Sequence, residues 1–123
     1  MSGGIQFTVL GQLVSMKNRK IQAVKHGRAF SFKNPAVAAY ERDFRLQVPS
    51  ECRGLLLGGL ASPLRAIIAV FYRSRRSDLD CALVYDCLQN AGVIANDRYI
   101  IEKHEYAGVD PHNPRVEISV EAL

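Results

Sequence analysis

Residues 64–100 read LRAIIAVFYRSRRSDLDCALVYDCLQNAGVIANDRYI, and most of the fold is decided within them. Leu64 to Tyr72 is apolar at both odd and even positions, the mark of a central strand covered on both faces. It runs into the basic stretch Arg73-Ser74-Arg75-Arg76-Ser77 and then into Asp78-Leu79-Asp80. The pattern predicts a helix over 79–90, closed by Gly92, a residue free to adopt the positive φ of a helix C-terminus. Asn96-Asp97 follow as a turn, then a strand over 98–106.

Upstream, residues 50–63 (SECRGLLLGGLASP) hold three glycines and a proline and read as a loop. Its Leu55-Leu56-Leu57 run is unusual for an exposed segment and tucks either against the core or against a partner subunit. Asn34-Pro35 reads as a helix start: Asn is a good N-cap, and Pro at the first helical position gives up an N–H that is orphaned anyway. Val37, Tyr40 and Phe44 then form one apolar stripe, and Pro49 stops the helix. Ile5, Phe7 and Val9 alternate with Gln6 and Thr8, a half-buried strand ending near Val14. Residues 15–28 read as a basic loop, and Ala29 to Phe32 as a short strand pairing back on the first. Downstream, Val116, Ile118 and Val120 alternate with Glu117 and Ser119 as a final strand, with 108–114 the hairpin leading into it. The order β, β, α, β, α, β, β predicts an α+β fold, a single domain over 1–123 with a mixed β-sheet and two main helices.

Bulk properties narrow the function classes. At 123 residues, 48% hydrophobic and 23% charged, the chain is an ordinary globular domain, small enough that homodimer formation would help its stability. Residues 1–48 carry eight Lys/Arg against Glu41 and Asp43, a net +6, whereas the remainder is −2. That asymmetry is compatible with a polyanion gripped by one part and worked on by the other. Cys52, Cys81 and Cys87 form no C-x-x-C pair and have no His at zinc-ligand spacing, which points to a reducing cytoplasm; Cys81 and Cys87 read as small buried hydrophobes. No signal peptide is read at the N-terminus, and no apolar run reaches the roughly 20 residues of a membrane helix. The expectation is a cytoplasmic protein with no membrane partner and no small-molecule cofactor.

Asp78 and Asp80 stand two apart at the end of the apolar strand, where i and i+2 side chains point the same way. Asp97 comes 17 residues later, after a helix expected to return the chain to the same edge. Three carboxylates without His or Cys suit Mg²⁺ or Mn²⁺, which activate water and steady a leaving oxygen in phosphodiester chemistry. Arg75 and Arg76 would approach phosphates. An S-D-L-D sequence before a helix is equally an ordinary N-cap, with Asp favoured in the first turn. Asp86 reads as a helix-exterior residue or one that makes a structural contact, and His26, His104 and His112 as surface or strand residues.

The segment 76–100, RSDLDCALVYDCLQNAGVIANDRYI, resembles RusA-type Holliday-junction resolvases in its basic-x-D-L-D, in Asp86, Leu88, Ala91 and Gly92, and in the turn bearing Asp97. Val14-Ser15 leading into Lys17-Asn18-Arg19, the Ala39-Tyr40 helix and the closing Asn113-Pro114-Arg115-Val116-Glu117 strand extend the likeness across the chain. The resemblance implies a bacterial or phage-encoded homodimer that binds four-way DNA junctions and nicks two strands with Mg²⁺ or Mn²⁺. It implies Asp78, Asp80 and Asp97 as catalytic metal ligands, with Lys17, Asn18, Arg19, Lys20, Arg75 and Arg76 as DNA contacts. The chain departs from the family's pattern in two places. Cys81 stands where Asn is expected, and Val84 where a functionally important Lys is expected, with no Lys anywhere from Asp78 to Asn90. Alignment also removes two residues between Asp80 and Asp86; two residues turn a helix by about 200°, so the helix must start later or be irregular. The alternative is therefore a branched-DNA-binding protein of the same fold with weak or no nuclease activity, or one rescued by Arg76 or Lys103. Outside nucleic acids, a small-molecule phosphohydrolase or an interaction domain remains.

Overall fold

A computed structural model of the chain describes residues 4–18, 20–76 and 78–123, with Asn18 described in its backbone alone. Strand β1 (Gly4–Leu10) turns Phe7 and Val9 inward and leaves Gln6 and Thr8 exposed, as its period-2 pattern demands. A short 3₁₀ turn (Met16–Asn18) leads into β2 (Lys20–Lys25) and β3 (Arg28–Lys33), which pair antiparallel as a separate two-stranded sheet. The 15–28 segment is thus largely a hairpin arm, and β3 pairs with β2, not with β1. The two-residue turn His26-Gly27 holds both residues at positive φ (54° and 75°), the conformation that matches the strands' twist.

Helix α1 (Pro35–Gln47) starts as its sequence predicts: Asn34 Oδ1 accepts the Ala36 N–H at 2.9 Å, and Pro35 occupies the first turn. Val37, Tyr40 and Phe44 are its buried residues. Its last carbonyls are met by Arg53, whose guanidinium donates to Arg45 O (2.6 Å) and Val48 O (3.1 Å). In the loop that follows, Leu57 N–H and C=O bond residues 93 and 95 and its side chain packs on the core, whereas Leu55 and Leu56 stay exposed.

Strand β4 (Leu64–Tyr72) is central, with β6 (Arg115–Ala122) antiparallel on one side and β5 (Ile100–Val109) parallel on the other. The main sheet has the order β1-β6-β4-β5, a mixed sheet in an α+β domain. Leu64, Ala66, Ile68, Val70 and Tyr72 are buried against α1 and α2 (Ala82–Asn90), joining one hydrophobic core. Arg65, Ile67, Ala69 and Phe71 are only half-buried. The expectation of cover on both faces is corrected: both helices lie on one side. On the other side, Arg65 pairs with Glu102 and Glu121, and the Arg115 guanidinium lies 4.0 Å from the centre of the Phe71 ring.

The expected hairpin between the last two strands is also corrected. β4 separates β5 from β6, and residues 110–114 carry the chain across its end, tied by Asp110 N–H to Tyr72 O (2.8 Å) and Gly11 N–H to Pro114 O (2.9 Å). Among the described residues no helix is long and apolar enough to cross a membrane. The three cysteines are free and buried.

Candidate functional site at the end of the central strand

Strand β4 ends at Tyr72, and α2 starts at Ala82. The helix starts three residues later than its sequence pattern predicts. It also places Val84, with no exposed surface, in the core. A lysine there would bury its charge, so in this packing the position cannot present a cation to the acidic pair.

Asp80 is fixed from three directions. Its Oδ1 accepts the Ala82 N–H (3.1 Å), and its Oδ2 accepts the Ser15 hydroxyl (3.0 Å) and the Met16 N–H (3.1 Å). Burial works to raise its pKa, but these donors, aided by the Lys17 charge, outweigh it and hold the carboxyl below the usual range. The N-cap of α2 is Cys81, without a side-chain cap bond, which corrects the reading of the aspartates as the cap. Asp80, one residue earlier, meets the Ala82 N–H with one oxygen and binds the segment 15–16 with the other. Asp78 is more exposed and meets Lys17 Nζ at 2.5 Å; that bond and charge lower its pKa and raise that of Lys17. The Arg76 guanidinium sits 5.0 Å from the centre of the Tyr72 ring.

Leu13, Ser15, Lys17, Tyr72, Arg76, Asp78 and Asp80 line one cleft of about 190 Å³. Its lining combines the apolar Leu13 and the Tyr72 ring with two carboxylates and two cations. Adjacent Cys81 takes no part as a thiolate: burial pushes its thiol up to about 12.

Asp97 is elsewhere. Its N–H donates to Gln89 Oε1 (3.0 Å) near the end of α2, and it opens the 3₁₀ turn Asp97–Tyr99 just before β5. Because β4 and β5 run parallel, Ile100 pairs with Leu64, at the start of β4 and not at its end. The expected return to the same edge is corrected. The nine-residue α2 stands between Asp80 and Asp97, a length of roughly 13 Å. Among the described residues, no three His, Cys, Asp or Glu side chains gather where they could hold a metal ion.

Of the expected DNA contacts, Lys17 and Arg76 reach the cleft. Arg75 is exposed, beyond the end of β4. Lys20 lines a separate hollow with Lys33, Glu41 and the half-buried Asp86. Arg19 and the side chain of Asn18 lie outside the described residues. Ser15 and Tyr72 were not expected as site residues; Ser15 reaches Asp80 across 65 positions, a contact that no local pattern signals.

No protein-family model matches the chain, and comparison with curated proteins returns no match. The functional reading therefore rests on the cleft and on the sequence resemblance.

Proposed function

We propose that the chain is a metal-dependent, structure-specific endodeoxyribonuclease acting on four-way DNA junctions, with a RusA-like fold and working as a homodimer. The observation that carries this reading is the convergence of Asp78, Asp80, Lys17 and Arg76 in one cleft, beside a stretch, 17–33, with six basic residues and no acidic one. A two-fold dimer suits a junction, which offers two equivalent phosphates. The exposed Leu55 and Leu56 are the candidate contact between the copies.

The donor set fits Mg²⁺ or Mn²⁺: hard carboxylate oxygens, few in number, as Mg²⁺ takes when substrate phosphates complete its shell. Asp78 and Asp80 would hold it; when bound, such an ion supplies an activated water and charge stabilisation at the leaving oxygen. Asp80 is pre-oriented by its three donors and needs no rearrangement. Lys17, two-thirds exposed, can exchange Asp78 for an incoming phosphate oxygen, freeing that carboxylate as the anion arrives. Arg76, braced on Tyr72, holds a second phosphate oxygen. Lys17 also stands as the cation beside the carboxylates that Val84 cannot provide.

A second reading, a branched-DNA-binding protein with weak or no cleavage, is favoured by the position of Asp97 at the far end of α2. One assay separates the two. A labelled four-way junction and a linear duplex of the same sequence are incubated with the protein, with and without Mg²⁺ or Mn²⁺. Metal-dependent paired nicks in the junction support the nuclease; tight junction binding without nicks supports the binding module. Equal indifference to both DNAs removes both readings.

A further inference from the structure

The β2–β3 arm carries two part-exposed aromatic side chains, Phe30 and Phe32. By register, Ile21 opposes Phe32 and Ala23 opposes Phe30, so these four share one side, with Lys25 and Arg28 next on that side at the tip. The Phe30 and Phe32 rings stack with centroids 5.9 Å apart and planes inclined by 29°, and they remain 43% and 42% exposed. None of the four belongs to the buried core. On the other side, Lys33 at the base of the arm pairs with Glu41 of α1.

The stacked, part-exposed rings offer a flat apolar face, and the surrounding charge indicates what would occupy it. Residues 17–33 contain Lys17, Arg19, Lys20, Lys25, Arg28 and Lys33 with no acid. A second copy docking arm to arm would bring two such stretches together and is opposed by their repulsion. A polyanion with flat apolar faces satisfies both features, and unpaired nucleotides are that ligand: phosphates for the cations, bases for the rings. The arm is also continuous with the cleft, since Lys17, at its root, reaches Asp78.

We infer that the β2–β3 arm is a base-stacking platform, on which Phe30 and Phe32 hold unpaired bases while Lys25 and Arg28 hold the adjoining phosphates. This deepens the functional reading above and rests on it. The platform favours DNA whose bases are already unstacked, such as a branch point, over intact duplex.

The test uses the full chain with two DNA probes, a fully paired duplex and the same duplex carrying an unpaired 2-aminopurine bulge. The wild type is expected to bind the bulged probe more tightly and to quench its fluorescence on binding. Phe30→Leu with Phe32→Leu keeps apolar bulk but removes the stacking face. It is expected to weaken bulge binding about tenfold or more, and duplex binding by less than about twofold. Phe30→Tyr with Phe32→Tyr retains the preference. Thermal melting followed by circular dichroism should be unchanged in both variants, because the rings lie outside the core.

A wild type that binds neither probe overturns the functional reading and the platform together. Binding to both probes, unaffected by the Leu pair, overturns the platform alone. So does loss of a dimer in sedimentation with DNA affinity intact, which assigns the face to a second copy. Adsorption to phosphatidylserine vesicles that the Leu pair abolishes, without quenching of the bulge, likewise overturns it and assigns the face to a lipid surface.

Discussion

Lys17 Nζ meets Asp78 Oδ2 at 2.5 Å, although the two residues stand 61 positions apart. The contact places a cation against the carboxylates from a segment distant in sequence. It also predicts how Asp78 titrates. In Lys17→Gln the Asp78 pKa should rise towards its ordinary value, read from its carboxyl carbon shift by NMR. Both side chains are at least half exposed, so the melting temperature should scarcely change. An unmoved Asp78 titration would show that the pair does not form in solution.

Asp80 is the structural member of the pair. Asp80→Ala removes the acceptor for Ser15, Met16 and Ala82 together, and should cost about 1–3 kcal/mol in urea unfolding at pH 7. Asp80→Asn keeps one acceptor oxygen and should cost less. The folded-state pKa is lowered, so Asp80 contributes stability above its unfolded value near 3.8, and this is lost as pH falls through the folded value. Wild type and Asp80→Ala should therefore differ most at neutral pH and converge in strong acid. A gap that widened on acidification would contradict the assignment.

Tyr40 is buried, and its hydroxyl finds no hydrogen-bond partner among the described residues. Burial accordingly pushes its pKa far up. Tyr40→Phe removes an unpaired polar group without changing shape, and should leave stability unchanged or raise it by up to about 1 kcal/mol. Calorimetric melting decides it; a clear loss would mean that the hydroxyl is satisfied.

Val84→Lys would restore the residue type that the resemblance expects. The site has no exposed surface, so an ammonium there displaces core packing and buries a charge. We expect a loss of several kcal/mol, enough to unfold a domain of this size. Soluble, natively folded Val84→Lys protein, with an unchanged near-ultraviolet spectrum, would refute this placement of α2.

These outcomes trace how far the residues alone reach. Local signals were legible: the Asn34-Pro35 start of α1, the alternation of Phe7 and Val9, and Gly92 with φ 72° beyond the end of α2. Strand β2 was not, because Ile21 and Ala23 give only a weak alternation among basic and polar residues, and a His-Gly turn is a muted hairpin signal. The open face of β4 was misread because Ile67, Ala69 and Phe71 are apolar without having a helix over them. Strand neighbours lay furthest from view. Nothing local says that β5 runs parallel to β4 and that β6 enters on the other side, yet that choice sets the position of Asp97. Asp78 and Asp80 came together because their spacing is local. The third carboxylate depended on topology.

Manganese binding followed by NMR tests the central claim most directly. Substoichiometric Mn²⁺ added to ¹⁵N-labelled wild type should broaden the amides of residues around Asp78 and Asp80 together with Met16 and Lys17, and Asp78→Asn with Asp80→Asn should abolish the effect. Broadening confined to the neighbourhood of Asp97, or none that the double variant removes, would contradict a metal site in the cleft at the end of β4.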